Sequence, residues 1–172
     1  RTPYLQPDPA LVERWRERLG NSGKLRVGLC WADNPKQAND RSRSMPASEF
    51  NRLADVPGVE LFSLQYGPKS WELSGIPVRH LGGQFRDVAD TAAAIANLDL
   101  VISVDTMIAH LAGALGKPVW VLLSEAADWC YPPGRGDTPW YPGMRLFLQT
   151  QPGGWAEVME RVAEALRNAG SR

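Results

Sequence analysis

The segment Leu100–Leu115, with the sequence LVISVDTMIAHLAGAL, decides the fold class of this chain of 172 residues. The residues up to Val104 are almost all apolar or β-branched, which is typical of a buried strand. The apolar and small residues from Ile108 onward predict a helix, which Gly116 ends. A continuously apolar strand followed after a short turn by a helix indicates one βα unit of a parallel sheet.

The same alternation of strands and helices extends along the rest of the chain. Further strands are predicted at 25–31, 59–65, 77–81, 118–123 and 145–148, and further helices at 11–19, 47–54, 87–98 and 155–166. Right-handed crossovers make this an α/β fold with a Rossmann-like parallel sheet of about six strands and helices on both faces. We divide the chain into a connector helix region at 1–24, the Rossmann-like domain at 25–150 and a closing helix at 151–172.

The composition excludes several classes of protein. Acidic and basic residues balance at 19 each, so no net field favours nucleic acid or an anionic membrane. No apolar run approaches the ~20 residues that span a bilayer. The polar start Arg1–Tyr4 has no initiator Met and no signal peptide, and we expect a piece of a longer protein. Two cysteines without metal spacing fit a reducing, cytoplasmic setting.

The turn between the predicted strand and helix carries the most informative side chains. Ligands of such sheets lie beyond the carboxyl ends of the strands, where the free N–H groups of a helix start favour an anion. Thr106 adds a hydroxyl there, and His110 lies one helical turn further on the same face. Asp105 suits a helix cap or an acceptor for a ligand hydroxyl. The alternative is structural, because Asp or Thr often only caps a helix and a lone His is often a core residue.

Two other loops at the same edge hold candidate binding residues. The polar loop after the first strand contains Asn39, Arg41 and Arg43, and guanidinium groups flanked by hydroxyls suit phosphate. A solvated loop is the alternative. Gln65, after the second strand, is placed to bind a base or ribose edge, although a plain turn explains it equally. The aromatic loop 128–142 forms either a binding wall or a plug over the sheet edge.

Several common site motifs are absent from the sequence. No G-x-G-x-x-G follows the first strand, which counts against NAD or FAD. There is no Walker lysine motif and no G-x-S-x-G elbow. The two histidines, His80 and His110, are too few and too isolated for a zinc site.

The stretch Asp99–Gly116 resembles the D-T-x-x-x-H-L-A-x-A-L motif of glycosyltransferase family 9, the heptosyltransferases. A bacterial group that joins such a domain to tetratricopeptide repeats is more similar still. The resemblance extends in the same order over nearly the whole chain, through the segments 27–32, 39–44, 90–94, 128–129 and 138–142.

This resemblance implies that the chain is the C-terminal half of a GT-B glycosyltransferase. That half binds the nucleoside-diphosphate sugar, whereas the absent N-terminal half, with tetratricopeptide repeats, binds the acceptor and carries the catalytic base. No catalytic residue, cofactor or metal is therefore expected in this half, which should be inactive alone. The expected donor-binding residues are Asp105, Thr106 and His110 beside the diphosphate, Arg41, Arg43 and Asn39 in the first loop, and Gln65 near the nucleoside.

The chain also departs from the pattern of that family. Asp33 and Gln37 stand where a Gly and a His are common, Cys130 stands where an Arg is common, and Leu148 replaces a basic residue. Fewer positive groups near a phosphate site favour the alternative of a degenerate, non-catalytic module that binds nucleotide or protein. Half of a sugar-nucleotide epimerase is a further alternative, because those enzymes share the GT-B layout.

Overall fold

The computed structural model describes residues 3–33, 43–125, 130–131 and 134–170. Within these ranges the strands form one sheet in the order β3-β2-β1-β4-β5-β6, and every neighbouring pair is parallel. This confirms the predicted Rossmann-like parallel sheet. The strands are β1 (Leu25–Cys30), β2 (Val59–Ser63), β3 (Val78–His80), β4 (Leu100–Val104), β5 (Val119–Leu123) and β6 (Met144–Leu148).

Helices cover both faces of the sheet. The α-helices in the described ranges are α1 (Pro9–Leu19), α2 (Val88–Ala96), α3 (Met107–Ala114) and α4 (Trp155–Gly170). Helices α1, α2 and α3 share one core with one face of the sheet, and α4 shares the second core with the opposite face. The strands are apolar on both sides because both sides are buried, which is why they lack an alternating pattern.

The segment predicted as a helix at 47–54 is a 3-10 helix, Ala47–Leu53, rather than an α-helix. Its buried residues Ala47, Phe50 and Leu53 recur at every third position. That spacing matches the three residues per turn of a 3-10 helix, so the tighter helix buries all three against α4. Pro46 at its start offers no side-chain cap for a longer α-helix.

Helix α1 belongs to the same core as the sheet. Trp15 is 1% exposed, and its indole Nε1 donates to Asp90 of α2 at 3.3 Å. Arg86 closes the pair, with Nε 2.8 Å from the same carboxylate. The role of residues 1–24 as an interdomain connector stays a prediction, whereas their packing on α2 is part of this fold.

A close approach of α2 to the sheet depends on Gly28 in β1. A Cβ atom at this position would lie 2.7 Å from side-chain atoms of both Leu64 and Leu98. Both leucines are 1% exposed and have no room to yield. Gly28 is therefore a packing residue, because any side chain here would push the end of α2 away from the sheet.

The order of the strands reverses between β1 and β4. The chain runs outward from β1 to β2 and β3, then returns to place β4 on the other side of β1. The crevice outside the carboxyl ends of these two strands is the place where such sheets bind ligands. Cys30 ends β1 and Val104 ends β4, so the residues directly after them border this topological switch point.

Candidate functional site

A cavity of about 570 Å³ opens at this switch point, on the side of the sheet covered by α2 and α3. Its volume lies within the range of roughly 300–1,000 Å³ that is typical of small-molecule sites. Four segments line it: the end of β1 with Ala32 and Asp33, the residues 64–69 after β2, the start of α2 from Phe85 to Thr91, and the start of α3 from Thr106 to Ile108.

The N-terminus of α3 forms one wall of the cavity. Thr106 is the N-cap, and its hydroxyl accepts from the N–H of Ile108 at 3.2 Å. The same hydroxyl lies 3.1 Å from Ser103 Oγ. Thr106 as a whole is 6% exposed. The capping role that the sequence left open is therefore present, and contact of Thr106 with an anion stays a prediction. Met107 follows it and is 53% exposed at the mouth of the cavity.

Asp105 binds three of its neighbours through its side chain. Arg43 Nη2 donates to Oδ2 at 2.7 Å and to the backbone carbonyl of Asp105 at 2.9 Å. The hydroxyl of Tyr131 donates to Oδ1 at 3.0 Å, and Nε2 of His110 lies 3.4 Å from the same oxygen. Of the predicted site residues, the structure thus brings Asp105, Arg43 and His110 into one network, which we call the Asp105 cluster together with Tyr131.

The Asp105 cluster contains an ionised carboxylate. Burial would raise the pKa of Asp105, but the hydrogen bond from His110, the charge of Arg43 and the hydrogen bond from Tyr131 together lower this pKa below its ordinary value. Asp33 Oδ2 also lies 4.0 Å from Arg43. The positive charge of Arg43 is therefore already balanced by the carboxylates of Asp105 and Asp33 within the protein.

Arg43 still has a donor to spare. Its Nε–H is buried and has no hydrogen-bond partner within the described part of the chain. Buried donors without partners are rare and call for an explanation. The Arg43 side chain as a whole is 25% exposed.

Gln65 lines the cavity, but its amide is engaged by the backbone. Its Oε1 accepts from the N–H groups of Trp31 and Ala32 at 3.1 and 3.0 Å, and its Nε2 donates to the carbonyl of Ala32 at 3.0 Å. Gln65 is 5% exposed. The side chain continues the pairing of β1 with β2 beyond the last strand residue. Its predicted contact with a nucleoside stays a prediction.

The aromatic loop contains a buried side chain, as expected of a plug over the sheet edge, and an exposed one, as expected of a binding wall. Tyr131 is buried at 4% exposure, whereas Trp140 is 56% exposed. Tyr141 is half-buried over α3, and its hydroxyl lies 3.3 Å from Nδ1 of His110. The contacts of Tyr131 with Asp105 and of Tyr141 with His110 were not predicted from the sequence. Gly113 was the available signal, because a glycine inside a helix indicates the close approach of another group.

Some of the predicted positions lie outside the described residues. These are Asn39 and Arg41 among the site residues, Gln37 among the departures from the family pattern, and the Asp-Trp pair at 128–129. Cys130 is described and half-buried. Within the described residues, no group of three His, Cys, Asp or Glu side chains has the arrangement of a metal site. The expectation that no metal is required stays a prediction.

The chain is similar in sequence to a longer curated protein. The chain is 34% identical to Protein FlbA of Caulobacter vibrioides over an alignment 183 positions long, which covers 98% of the chain but 29% of that protein. No protein-family profile matches the chain. The chain therefore spans less than a third of the length of the curated relative that it matches.

Solved structures similar in fold include two enzymes of the predicted kind. The structure of E. coli ADP-heptose lipopolysaccharide heptosyltransferase II aligns over 98% of this chain and 54% of that chain, with a TM-score of 0.67 and 18% identity. A family 9 glycosyltransferase from Veillonella parvula aligns over 96% of this chain and 53% of that chain, with a TM-score of 0.67 and 16% identity. The chain has the fold of one half of these enzymes. No helix in the described ranges has the length and apolar character to cross a membrane.

Proposed function

We propose that this chain is the donor-binding half of a GT-B glycosyltransferase and holds a nucleoside-diphosphate sugar. The observation that carries the proposal is the cavity of about 570 Å³ at the reversal of strand order, with the N-terminus of α3 in its wall. The fold shared with a heptosyltransferase named for ADP-heptose supports the same assignment.

The two parts of such a donor match two parts of the cavity. We assign the nucleoside to the apolar region beside Leu64, Pro68 and Phe85. A base bound there would remove the apolar surface of these side chains from water. The diphosphate then lies towards Met107, where N–H groups at the start of α3 and the helix dipole favour negative charge. Arg43 does not line the cavity itself, but its guanidinium binds the carbonyl and carboxylate of Asp105, the residue directly before the N-cap of this helix.

In the transfer reaction this half stabilises the leaving group. Charge accumulates on the departing nucleoside diphosphate, and preorganised N–H groups and a guanidinium stabilise that charge without a metal ion. The acceptor hydroxyl and the catalytic base are assigned to a second, N-terminal half, so the isolated chain should not turn over substrate. We further propose a bacterial, cytoplasmic protein in which tetratricopeptide repeats accompany that half.

Calorimetric titration with ADP, UDP and GDP tests the proposal, with two variants at the mouth of the cavity. Met107→Glu places a carboxylate beside the expected diphosphate, whereas Met107→Gln has nearly the same shape and no charge. We expect one nucleotide to bind, with an affinity at least about tenfold lower in the Glu variant than in the Gln variant, or ~1.4 kcal/mol. Glu near the start of a helix is stabilising, so a loss of binding would not result from unfolding.

The same titration decides on a second candidate, a degenerate binding module. That candidate is favoured by the pairing of Arg43 with Asp105 and by Asp33 at 4.0 Å, which together cancel the positive charge. Absence of binding of all three nucleotides at millimolar concentration would contradict the donor site and support the degenerate module. Equal affinities of the Glu and Gln variants would place any bound diphosphate away from α3.

A further inference from the structure

A chain of polar contacts connects the N-terminal segment with Asp105. The hydroxyl of Tyr4 donates to the hydroxyl of Tyr141 at 3.1 Å. The hydroxyl of Tyr141 lies 3.3 Å from Nδ1 of His110, and Nε2 of the same ring lies 3.4 Å from Oδ1 of Asp105. Both ring nitrogens of His110 therefore have a protein partner.

The chemistry of the two ends sets the direction of these hydrogen bonds. Asp105 Oδ1 lies 3.4 Å from Nε2 of His110, and because the pKa of Asp105 is lowered its ionised carboxylate only accepts, so this contact favours the proton on Nε2. In a neutral imidazole Nδ1 is then an acceptor and needs a donor. Burial, together with the hydrogen bond from Tyr4, raises the pKa of Tyr141 to about 12, so its hydroxyl keeps a proton to donate.

We propose that Tyr141 is a positioning residue that holds His110 with its proton on Nε2, directed at Asp105. The inference rests on the proposed donor site, since the oriented imidazole helps Tyr131 to fix the carboxylate that holds Arg43 beside the switch point. Tyr141 itself acts through His110 and needs no contact with a ligand.

The packing of Tyr141 supports this role. A Cβ atom at Gly113 would lie 2.7 Å from the Tyr141 ring, so the ring takes its place on α3 only because residue 113 is a glycine. The ring meets the imidazole edge to face, with centroids 5.9 Å apart and planes at 60°. Tyr131 stacks on His110 with centroids 6.3 Å apart and planes at 27°. Two tyrosine rings thus contact His110, whose side chain is 42% exposed, and of their two hydroxyls that of Tyr141 lies within hydrogen-bond distance of Nδ1.

Nitrogen-15 NMR of the whole chain tests the proposal, because the sequence has only two histidines. His80 packs against Trp71 and serves as the internal reference. At about pH 9, well above the ordinary histidine pKa of about 6.5, we expect the wild-type chain to give the His110 signals of a single tautomer, with the proton on Nε2 and an unprotonated Nδ1. Tyr141→Phe keeps the ring on Gly113 and removes the hydroxyl, so the two nitrogen shifts of His110 should move towards each other while those of His80 stay in place.

Other outcomes would overturn the proposal. A proton on Nδ1 of His110 in the wild-type chain would do so, as would unchanged His110 shifts in Tyr141→Phe. Gly113→Ala provides a second test that keeps both hydroxyl and imidazole. Its added methyl group displaces the Tyr141 ring, and the His110 shifts should respond as they do in Tyr141→Phe.

The nucleotide titration separates this inference from the proposed function. If the wild-type chain binds a nucleotide, Tyr141→Phe should weaken binding about fivefold, the effect of one hydrogen bond of about 1 kcal/mol. Tyr4→Phe, one step further from the ring, should weaken it less. Binding that is unaffected by Tyr141→Phe would overturn the positioning role. If no nucleotide binds, the proposed function fails, and the NMR result still decides how His110 is held.

Discussion

Two carboxylates, those of Asp90 and Asp105, are buried to nearly the same degree, at 3% and 5% exposure. Each is held by an arginine and by an aromatic donor. Asp90 accepts from Arg86, one helical turn before it, and from the indole of Trp15. Asp105 takes its arginine, Arg43, from a position 62 residues earlier in the chain, and takes a tyrosine and a histidine from two further segments.

The difference shows that the position of a buried, arginine-paired carboxylate in the fold, more than its hydrogen-bond partners, indicates whether its role is structural or belongs to a site. The Asp90 pair fastens α1 to α2 within one face of the core and stabilises the fold. The Asp105 cluster joins segments that meet only at the edge of the sheet where the strand order reverses. A similar set of hydrogen bonds is therefore structural in one place and part of a candidate site in the other.

The largest expected effect is on stability, from Asp90→Ala. The substitution removes the acceptor of the Trp15 indole and of the Arg86 side chain and backbone. We expect the free energy of unfolding to fall by about 2–3 kcal/mol in urea denaturation. Asp137→Ala is the matched control, because Asp137 pairs with Arg135 at the surface and its loss should change little. Equal effects of the two substitutions would contradict the structural role of Asp90.

A smaller effect, on binding, is expected from Arg43→Ala. Loss of this guanidinium removes a cation beside the proposed diphosphate and should weaken nucleotide binding about tenfold, or ~1.4 kcal/mol by calorimetry. Arg145→Ala is the control, since Arg145 lies over the rings of Trp120 and Phe147 on β5 and β6. If both variants bind nucleotide like the wild-type chain, Arg43 has no part in the site.

The smallest effect concerns acid sensitivity. The guanidinium and hydrogen bonds of Arg86 hold the pKa of Asp90 far below its usual range, and the pKa of Asp105 is lowered as well. Each ionised group then stabilises the fold fully above the unfolded pKa of about 3.9, and this contribution is lost as the pH falls through that value towards the folded pKa. Between about pH 5 and pH 2, the free energy of unfolding should therefore fall less steeply in Asp90→Asn than in Asp105→Asn. Urea denaturation across this range measures both, and the reverse order would contradict the comparison.

The sequence predicted the sheet because its information is local. Each strand of the sheet is an apolar run followed by a turn, and each helix has its own pattern of burial, so the order of elements could be predicted one segment at a time. The 3-10 form of Ala47–Leu53 was not predicted. The choice between the two helix types depends on packing against α4, a contact that no local pattern reveals.

The sequence predicted where the candidate residues lie in the fold but not what they contact, and their role in binding stays a prediction. Asp105, Thr106 and His110 follow β4, and the end of a parallel strand could be located from the sequence. The contacts of Asp105 with Tyr131 and of His110 with Tyr141 join residues 26 and 31 positions apart, a separation that no local sequence pattern spans. The engagement of the Gln65 amide by residues 31 and 32 likewise depends on the register between β1 and β2.

The pairing of β1 with β4 has a consequence for how the chain folds. Val27 pairs with Leu100, whereas β1, β2 and β3 lie in sequence order on their side of the sheet. Contacts between residues so far apart along the chain form slowly, because a long loop must be closed before they contribute. The crevice between β1 and β4 does not exist until that pairing is made. A ligand bound there would favour the step that joins the two halves of the sheet, and its concentration would then set how much of the chain is fully folded.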